Sequence, residues 1–246
     1  MQRSLSAYIV LFLVTSIVTV IARMPLSVVL YVAGAPVLAD SVSGTVWNGR
    51  IENGYVLGYP LGNVDVSGKF LPLLRGRAAA DVEVDGPLVS GTADVSVGRK
   101  RLVLHDTALD INLAGIAIMD AFGAPMSGTV RAKTDRLVVD TGQGQCLEGT
   151  VDVWTNTLER SAPRYGGRGF PMTGIGQCEA GAFVLPLAGE GIDGKAMANV
   201  RFGNRDYQTE LIVEPRQRNL GQLLVGFGFQ QRGNQYSLIQ RGKVVP

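Results

Sequence analysis

The sequence predicts an all-β protein: a single N-terminal transmembrane helix followed by a curled, mostly antiparallel, meandering β-sheet domain shaped as a half-barrel or a slender sandwich. The chain has 246 residues, of which 46% are hydrophobic and only 18% are charged, and one membrane helix plus one ordered domain fits these values. Its 32 glycines and 11 prolines indicate many short elements joined by tight turns. After Asp40, apolar and polar residues alternate with a period of two, which is typical of half-buried strands.

The first element is an uncharged apolar stretch near the N-terminus. Residues 5–22 contain no charged side chain and are bracketed by Arg3 and Arg23, a length that is just sufficient to span a bilayer. We therefore expect a cytoplasmic end at 1–4, a transmembrane anchor at 5–22, a membrane-proximal linker at 23–40 and a β-rich domain outside the cytoplasm at 41–246. A cleaved signal peptide is the alternative, although its best cleavage site, at 37–39, lies far from the apolar run.

The body of the chain predicts about a dozen strands. Four of them open with a Gly-Thr pair, at 44–45, 91–92, 128–129 and 149–150, and the irregular spacing favours a meander over a propeller or a solenoid. Two segments have a helical pattern, 113–122 after Asn112 and 220–227 after Asn219, and we expect both to be short connector helices. The alternating strands carry aliphatic side chains on one face, among them Val64, Val82, Val95, Ile111, Val130, Val151 and Val200.

Such a sheet exposes more hydrophobic surface than two short helices can cover. It must close into a barrel or a sandwich, form a half-open trough, or lie against a partner, and the sequence leaves these alternatives open. The small to medium size of the inward aliphatic residues favours an open or slender interior. Trp47 and Trp154 each follow an inward valine, so at least one of them can face outward at an interface, or both can be buried in a curled sheet.

Charge and residue counts exclude several classes of function. The 23 basic and 21 acidic side chains are spread over the chain and give a net charge of +2, so nucleic-acid binding is not expected. One histidine, His105, and two cysteines do not provide the usual ligands of a zinc site or the groups for histidine-based proton transfer. We expect no catalytic residue, no metal and no cofactor.

The two cysteines, Cys146 and Cys178, are poor metal ligands because no histidine is near them in the sequence. They can persist as a disulfide in an oxidising compartment, and two buried free thiols are the alternative. A bridge would stabilise the fold by about 3–4 kcal/mol in the chain-entropy treatment. Between them, residues 156–177 are rich in Gly, Pro and Arg and predict a long loop with the bridge at its base. We interpret it as a docking loop, with a plain solvated loop as the alternative, and its candidate contact residues are Arg160, Arg164 and Arg168.

Residues 43–50, Ser-Gly-Thr-Val-Trp-Asn-Gly-Arg, resemble the hallmark of the type II secretion system protein N (GspN) family. Its motif residues are Gly44, Thr45, Trp47 and Gly49. Further similarity lies in the two-cysteine domain and in residues 61–64, 220–228, 236–238 and 242. Family members often carry another tryptophan soon after the Leu-Gly pair at 61–62, whereas this chain has Val66 and Ser67 there.

The resemblance implies a single-pass inner-membrane subunit whose β-rich C-terminal domain lies in the periplasm. It also implies no catalysis and no cofactor, and other type II secretion subunits as partners. Under this hypothesis the protein is an assembly or docking component in protein export across the outer membrane, and it presents its sheet edge and its 156–177 loop to those subunits.

The family is also distantly similar to AsmA-like proteins, whose Gly-Thr-led strands form elongated sheets associated with lipid movement between membranes. This similarity agrees with the uncovered apolar face expected above. It gives the alternative hypothesis of an envelope lipid-binding or lipid-transfer protein, in which the curled sheet holds acyl chains at the membrane surface. An enzyme that acts on envelope material is a distant third.

Overall fold

The computed structural model describes residues 11–13, 15, 16, 18–32, 37–56, 58–116, 119, 124–204 and 206–243. Over these residues the chain forms one 15-stranded sheet. The strands are β1 (Val37–Leu38), β2 (Ser41–Thr45), β3 (Asn48–Val56), β4 (Tyr59–Lys69), β5 (Ala78–Asp85), β6 (Val89–Val97), β7 (Arg101–Asn112), β8 (Thr129–Asp140), β9 (Gln145–Thr155), β10 (Met172–Glu179), β11 (Ala182–Gly191), β12 (Gly194–Phe202), β13 (Asp206–Pro215), β14 (Gln230–Arg232) and β15 (Gln235–Lys243). The connecting helices are α1 (Leu26–Val32), α2 (Phe70–Leu73), α3 (Thr157–Ser161) and α4 (Arg218–Gly226), with 3₁₀ turns at Leu113–Gly115 and Ala162–Tyr165.

The sheet is an antiparallel meander, as predicted. From β3 to β13 each strand pairs with the next strand in the chain, β1 and β2 both lie along β3, and β15 lies between β13 and β14. The hydrogen-bonded path therefore has two ends and the sheet is open. Strands pack chiefly against their paired neighbours, so the described residues form one layer and not the two facing sheets of a sandwich.

In an antiparallel meander, successive turns lie alternately at the two ends of the strands. The turns at 46–47, 98–100 and 141–144 lie at one end, which we call the junction end because the N-terminal segment joins it. The connections at 86–88, 156–171 and 192–193 lie at the other, which we call the loop end. The longest strands, β7 and β8, have 12 residues each, so the two ends are roughly 40 Å apart.

One face of the sheet is apolar from strand to strand. Cross-strand partners on this face continue one another from β3 to β9, in the order Ile51, Val64, Val84, Gly91, Leu109, Ala132 and Val153. The row resumes from β11 to β15 with Leu187, Ala198, Leu211 and Leu238. Most of these side chains are only half-buried, although their strands have a paired strand on each side. The opposite face carries the alternating charged residues; this period-two pattern is what made the strands predictable.

Short elements cover the apolar face at its two sides. Leu26 of α1 is buried with Ile51 and Val64 at the first strands. At the last strands α4 lies over β15, where Gly221 leaves room for the ring of Tyr236: a Cβ at that glycine would come 2.4 Å from the phenolic oxygen. Towards the loop end, Phe170 packs with Met172 and Ala196. The apolar face is thus covered at both sides and half-exposed between them, and we call its half-exposed part the apolar trough.

The predicted connector helices differ from those in the structure. The sequence predicts a helix over 113–122, but the chain makes only a 3₁₀ turn at Leu113–Gly115. The amide of Ala114 donates to Asn112 Oδ1 at 3.1 Å, and Ile116 is already extended. Residues 117, 118 and 120–123 lie outside the described part. The second helix begins earlier than predicted, so Asn219 lies inside α4; Gln217 occupies the extended position before its first turn.

The predicted membrane anchor is described in part. Residues 11–13, 15, 16 and 18–22 are helical, whereas 1–10, 14 and 17 lie outside the described residues. Within the described residues, no helix has both the length and the apolar character that crossing a bilayer requires.

Candidate functional site

The Gly-Thr-Val-Trp-Asn-Gly motif forms the hairpin turn between β2 and β3. Gly44 adopts φ +79°, and a Cβ on it would come 2.3 Å from the carbonyl oxygen of Asn48, so only glycine fits there. Thr45 Oγ1 accepts a hydrogen bond from the amide of Trp47 at 3.3 Å. The turn therefore holds the tryptophan in a fixed position at the junction end.

This turn binds the end of the N-terminal helix. The Val46 amide donates to the Met24 carbonyl at 3.0 Å, and the Gly68 amide donates to the Val46 carbonyl at 3.0 Å. The indole Nε1 of Trp47 donates to the Ile21 carbonyl at 3.0 Å. Carbonyls in the last turn of a helix lack partners within the helix, so the indole completes the hydrogen bonding of this terminus.

Gly49 lets the chain after this helix pack on the sheet. A Cβ on Gly49 would come 2.6 Å from Cδ2 of Leu26, which means that the leucine occupies the space above the glycine. Leu26 is buried there, at the start of α1. The four motif residues thus lie together and attach the segment after the apolar helix to the sheet; we call this region the N-terminal junction.

The aromatic contact of Trp47 extends the junction to α2. The ring centroids of Trp47 and Phe70 are 5.7 Å apart with an interplanar angle of 56°. Lys69, just before α2, pairs with Asp81 at 2.7 Å and with Asp94 at 2.8 Å. These hydrogen bonds, first that with Asp81 and then that with Asp94, raise the pKa of Lys69 above its ordinary value of 10.5.

A shallow pocket of about 420 Å³ lies beside α2 on the polar face. Its polar lining includes Lys69, Arg75, Arg77 and His105, and its apolar lining includes Leu71 and Leu74. His105 faces Arg136 across the strand pair. Among the described residues, no group of three or more His, Cys, Asp and Glu side chains is placed to hold a metal ion.

Cys146 and Cys178 form a disulfide, with their Cα atoms 5.2 Å apart. They lie near the junction end, because Cys146 is close to the start of β9 and Cys178 close to the end of β10. The sequence interpretation that the bridge fixes the base of the 156–177 loop is wrong: nearly the whole β9–β10 hairpin separates the bridge from the loop. The bridge closes the open end of that hairpin.

The loop is also shorter than predicted, because residues 172–177 belong to β10. The glycines at 174 and 176 indicate a loop in the sequence, but in the structure they make room for close neighbours in the sheet. A Cβ on Gly174 would come 1.8 Å from the Pro186 carbonyl oxygen, and one on Gly176 would come 2.2 Å from the Phe183 ring. Glycine in a strand commonly marks such a close approach.

Residues 156–171 form an ordered cap at the loop end. One carboxylate oxygen of Asp193 accepts hydrogen bonds from the amides of Arg168, at 2.5 Å, and Gly169, at 2.7 Å. The side chain of Arg164 donates to the Pro125 carbonyl at 2.6 Å. Arg160 lies in α3, and the side chains of Arg160, Arg164 and Arg168 are all exposed. All three arginines therefore lie on the exposed surface of this cap.

Trp154 lies on the polar face of β9. The guanidinium carbon of Arg131 is 4.9 Å from its ring centroid, and Arg131 Nε donates to Asp110 at 2.7 Å. Trp154 and Trp47 are both half-buried, in different parts of the sheet. The two tryptophans thus do not share a site.

Two features of the candidate site were not predicted from the sequence. The exposed apolar segment at 70–74 could have been noticed as the run Phe-Leu-Pro-Leu-Leu between Lys69 and Arg75. Asp193 had no signal, since an isolated aspartate in a turn is common.

Comparisons with known proteins give one match. The model of the family described as type II secretion system (T2SS), protein N matches residues 35–239, a range that includes the N-terminal motif, both cysteines and almost the whole sheet. Searches of curated proteins and of solved structures found no match. Because the family match covers most of the chain, the protein belongs to the type II secretion system protein N family.

Proposed function

We propose that this type II secretion component is a non-catalytic assembly or docking subunit, anchored in the inner membrane by residues 5–22 with its domain in the periplasm. Residues 1–4 would be cytoplasmic, 23–40 the linker and 41–246 the periplasmic domain. The apolar sequence before Arg23, the helical backbone at 11–13, 15, 16 and 18–22, and the disulfide, which suits an oxidising compartment, support this arrangement.

The N-terminal junction is the observation that carries the proposal. The helix end and the sheet are joined by hydrogen bonds at Ile21 and Met24 and by the buried Leu26, so the first residues of the proposed linker are attached to the sheet. A rigid connection fixes the direction in which the sheet projects from the membrane. The loop end, with its arginine-bearing cap, then lies on the order of 40 Å from the junction, where it can meet other subunits.

In vivo photocrosslinking tests this proposal. A photoreactive amino acid at exposed Arg160 or Arg168 should crosslink to other type II secretion subunits, whereas the same group at Glu83, exposed on the polar face of β5, is the matched control. Alkaline washing of membranes should leave the full chain in the pellet. Crosslinks at Glu83 but not at the cap would contradict the docking role of the cap, and release by the wash would contradict the anchor.

The half-buried apolar trough favours a second candidate, an AsmA-like lipid carrier. Aliphatic residues continue across the sheet, and Leu109 and Ala132 in its middle strands are only half-buried. An acyl chain laid there would lose contact with water, and each buried CH₂ group stabilises binding by about 0.8 kcal/mol. Mass spectrometry of the gently extracted protein separates the candidates: stoichiometric phospholipid that is lost in Ala132→Asp, but retained in Lys133→Asp on the opposite face, would indicate a carrier.

A further inference from the structure

The segment from Phe70 to Leu74 exposes four large apolar side chains in succession around Pro72. Leu71 is 75% exposed, Leu74 72% and Phe70 54%. These residues occupy α2 and the position just after it, where they cover little of the sheet. A contiguous exposed apolar patch of this kind marks an interaction site.

Basic residues follow the apolar segment directly. Arg75 and Arg77 are exposed, and neither takes part in an ion pair among the described residues. The next turn at the same end of the sheet carries Arg99 and Lys100, and Arg101 begins the strand that follows it. Apolar side chains next to guanidinium groups fit a lipid surface, where acyl chains lie directly beneath anionic phosphates.

The segment is also connected to the end of the N-terminal helix. Trp47 donates to the carbonyl of Ile21 on one side and contacts the ring of Phe70 on the other, so one side chain separates the helix end from α2. Tryptophan is enriched where a protein crosses the membrane–water interface. A helix that ends at this interface places α2 at the same depth.

We propose that the Phe70–Leu74 segment inserts into the periplasmic leaflet of the inner membrane, with Arg75 and Arg77 bound to lipid phosphates. This inference rests on the proposed membrane anchor. It seats the junction end of the sheet on the bilayer and makes α2 a second attachment point beside the anchor.

Depth-dependent fluorescence quenching tests the insertion. Both native cysteines are in the disulfide, so Leu71→Cys provides a single thiol for an environment-sensitive nitrobenzoxadiazole label. The full chain is placed in vesicles of phosphatidylethanolamine and phosphatidylglycerol that contain lipids spin-labelled near the headgroup. The label at 71 should shift its emission to the blue and be quenched, whereas the control Gln222→Cys, exposed on α4 at the loop end, should report water.

The outcomes distinguish a failure of the proposed insertion from a failure of the proposed anchor. A label at 71 that reports water while the chain stays in the washed vesicles overturns the insertion and leaves the anchor intact. Release of the chain from the vesicles overturns both. A blue-shifted label that lipid spin labels do not quench means that protein covers the segment, and this also overturns the insertion.

A charge variant tests the phosphate contacts. Arg75→Glu with Arg77→Glu should remove most of the quenching at 71 and its dependence on the phosphatidylglycerol fraction. Arg160→Glu, exposed at the loop end, is the matched control and should change neither. Unchanged quenching in the double variant would overturn the role of the two arginines.

Discussion

Replacing Trp47 tests whether the N-terminal junction holds the helix end to the sheet. Trp47→Ala removes the hydrogen bond to the Ile21 carbonyl, worth about 1 kcal/mol, and the ring contact with Phe70, worth about 1 kcal/mol. Loss of the half-buried ring surface adds about 1 kcal/mol. The expected loss in the free energy of unfolding is therefore about 3 kcal/mol.

Trp47→Phe is the matched variant, because it keeps an aromatic ring beside Phe70 and removes the N–H donor. The Ile21 carbonyl retains the Met24 amide at 3.3 Å, so this variant should lose only about 1 kcal/mol. For a chain of this size, the alanine variant should unfold roughly 6–12 °C below the wild type and the phenylalanine variant roughly 2–4 °C below it.

The assay is thermal and denaturant unfolding of the full chain, with the disulfide intact, followed by circular dichroism. Trp154→Phe is a second control, since that ring contacts Arg131 on the polar face and not the helix. Equal stability of Trp47→Ala and the wild type would refute the reasoning. A loss in Trp47→Phe as large as that in Trp47→Ala would show that the hydrogen bond, and not the ring, carries the contact.

Three further predictions concern the bridge, the cap and the paired lysine. Cys146→Ser with Cys178→Ser should lower the free energy of unfolding by about 3–4 kcal/mol and reduce secretion; unchanged unfolding and secretion would contradict a structural role of the bridge. Asp193→Asn should lower the free energy of unfolding by about 1 kcal/mol and speed hydrogen exchange at residues 156–171 but not in β5. Exchange at 156–171 that is as slow in the variant as in the wild type would contradict the capping role. Because the pKa of Lys69 is raised, its stabilising effect is complete below pH 10.5 and is lost as the pH rises through the folded-state pKa. The unfolding midpoints of the wild type and Lys69→Met should therefore differ slightly at pH 8 and converge at high pH; a constant difference would contradict this.

The fold class was predictable because period two depends only on which residues are apolar. Val64 and Val82 are on the apolar face, as the alternation indicates. The expectation that Gly-Thr pairs open strands is wrong for three of the four: only 128–129 lies at a strand start, whereas 44–45 ends β2 and 91–92 and 149–150 lie inside β6 and β9. The error at 172–177 has a physical origin: glycine indicates a loop in sequence, yet Gly174 and Gly176 lie in a strand where neighbours leave no room for a side chain.

The site was predictable in part. The tryptophan motif is distinctive in the sequence, but its contact with Ile21 joins residues 26 positions apart and has no sequence signal. The run at 70–74 has the composition of a buried segment, and its exposure follows from the position of α2 beyond the end of the sheet. Exposure of an apolar residue depends on tertiary structure, and composition does not determine it.

The order of the strands also affects how the chain folds. Nearly every strand pairs with the strand that precedes it, and even the covalent crosslink spans only 32 residues. A chain that emerges N-terminus first can therefore add hairpins one after another to a growing edge, without waiting for distant segments. Contacts close in sequence require little loop-closure entropy, which favours rapid assembly of so wide a sheet. Each intermediate exposes the full length of its last strand as a free edge, so translation or export that stalls in the middle of the sheet would leave a species prone to aggregation.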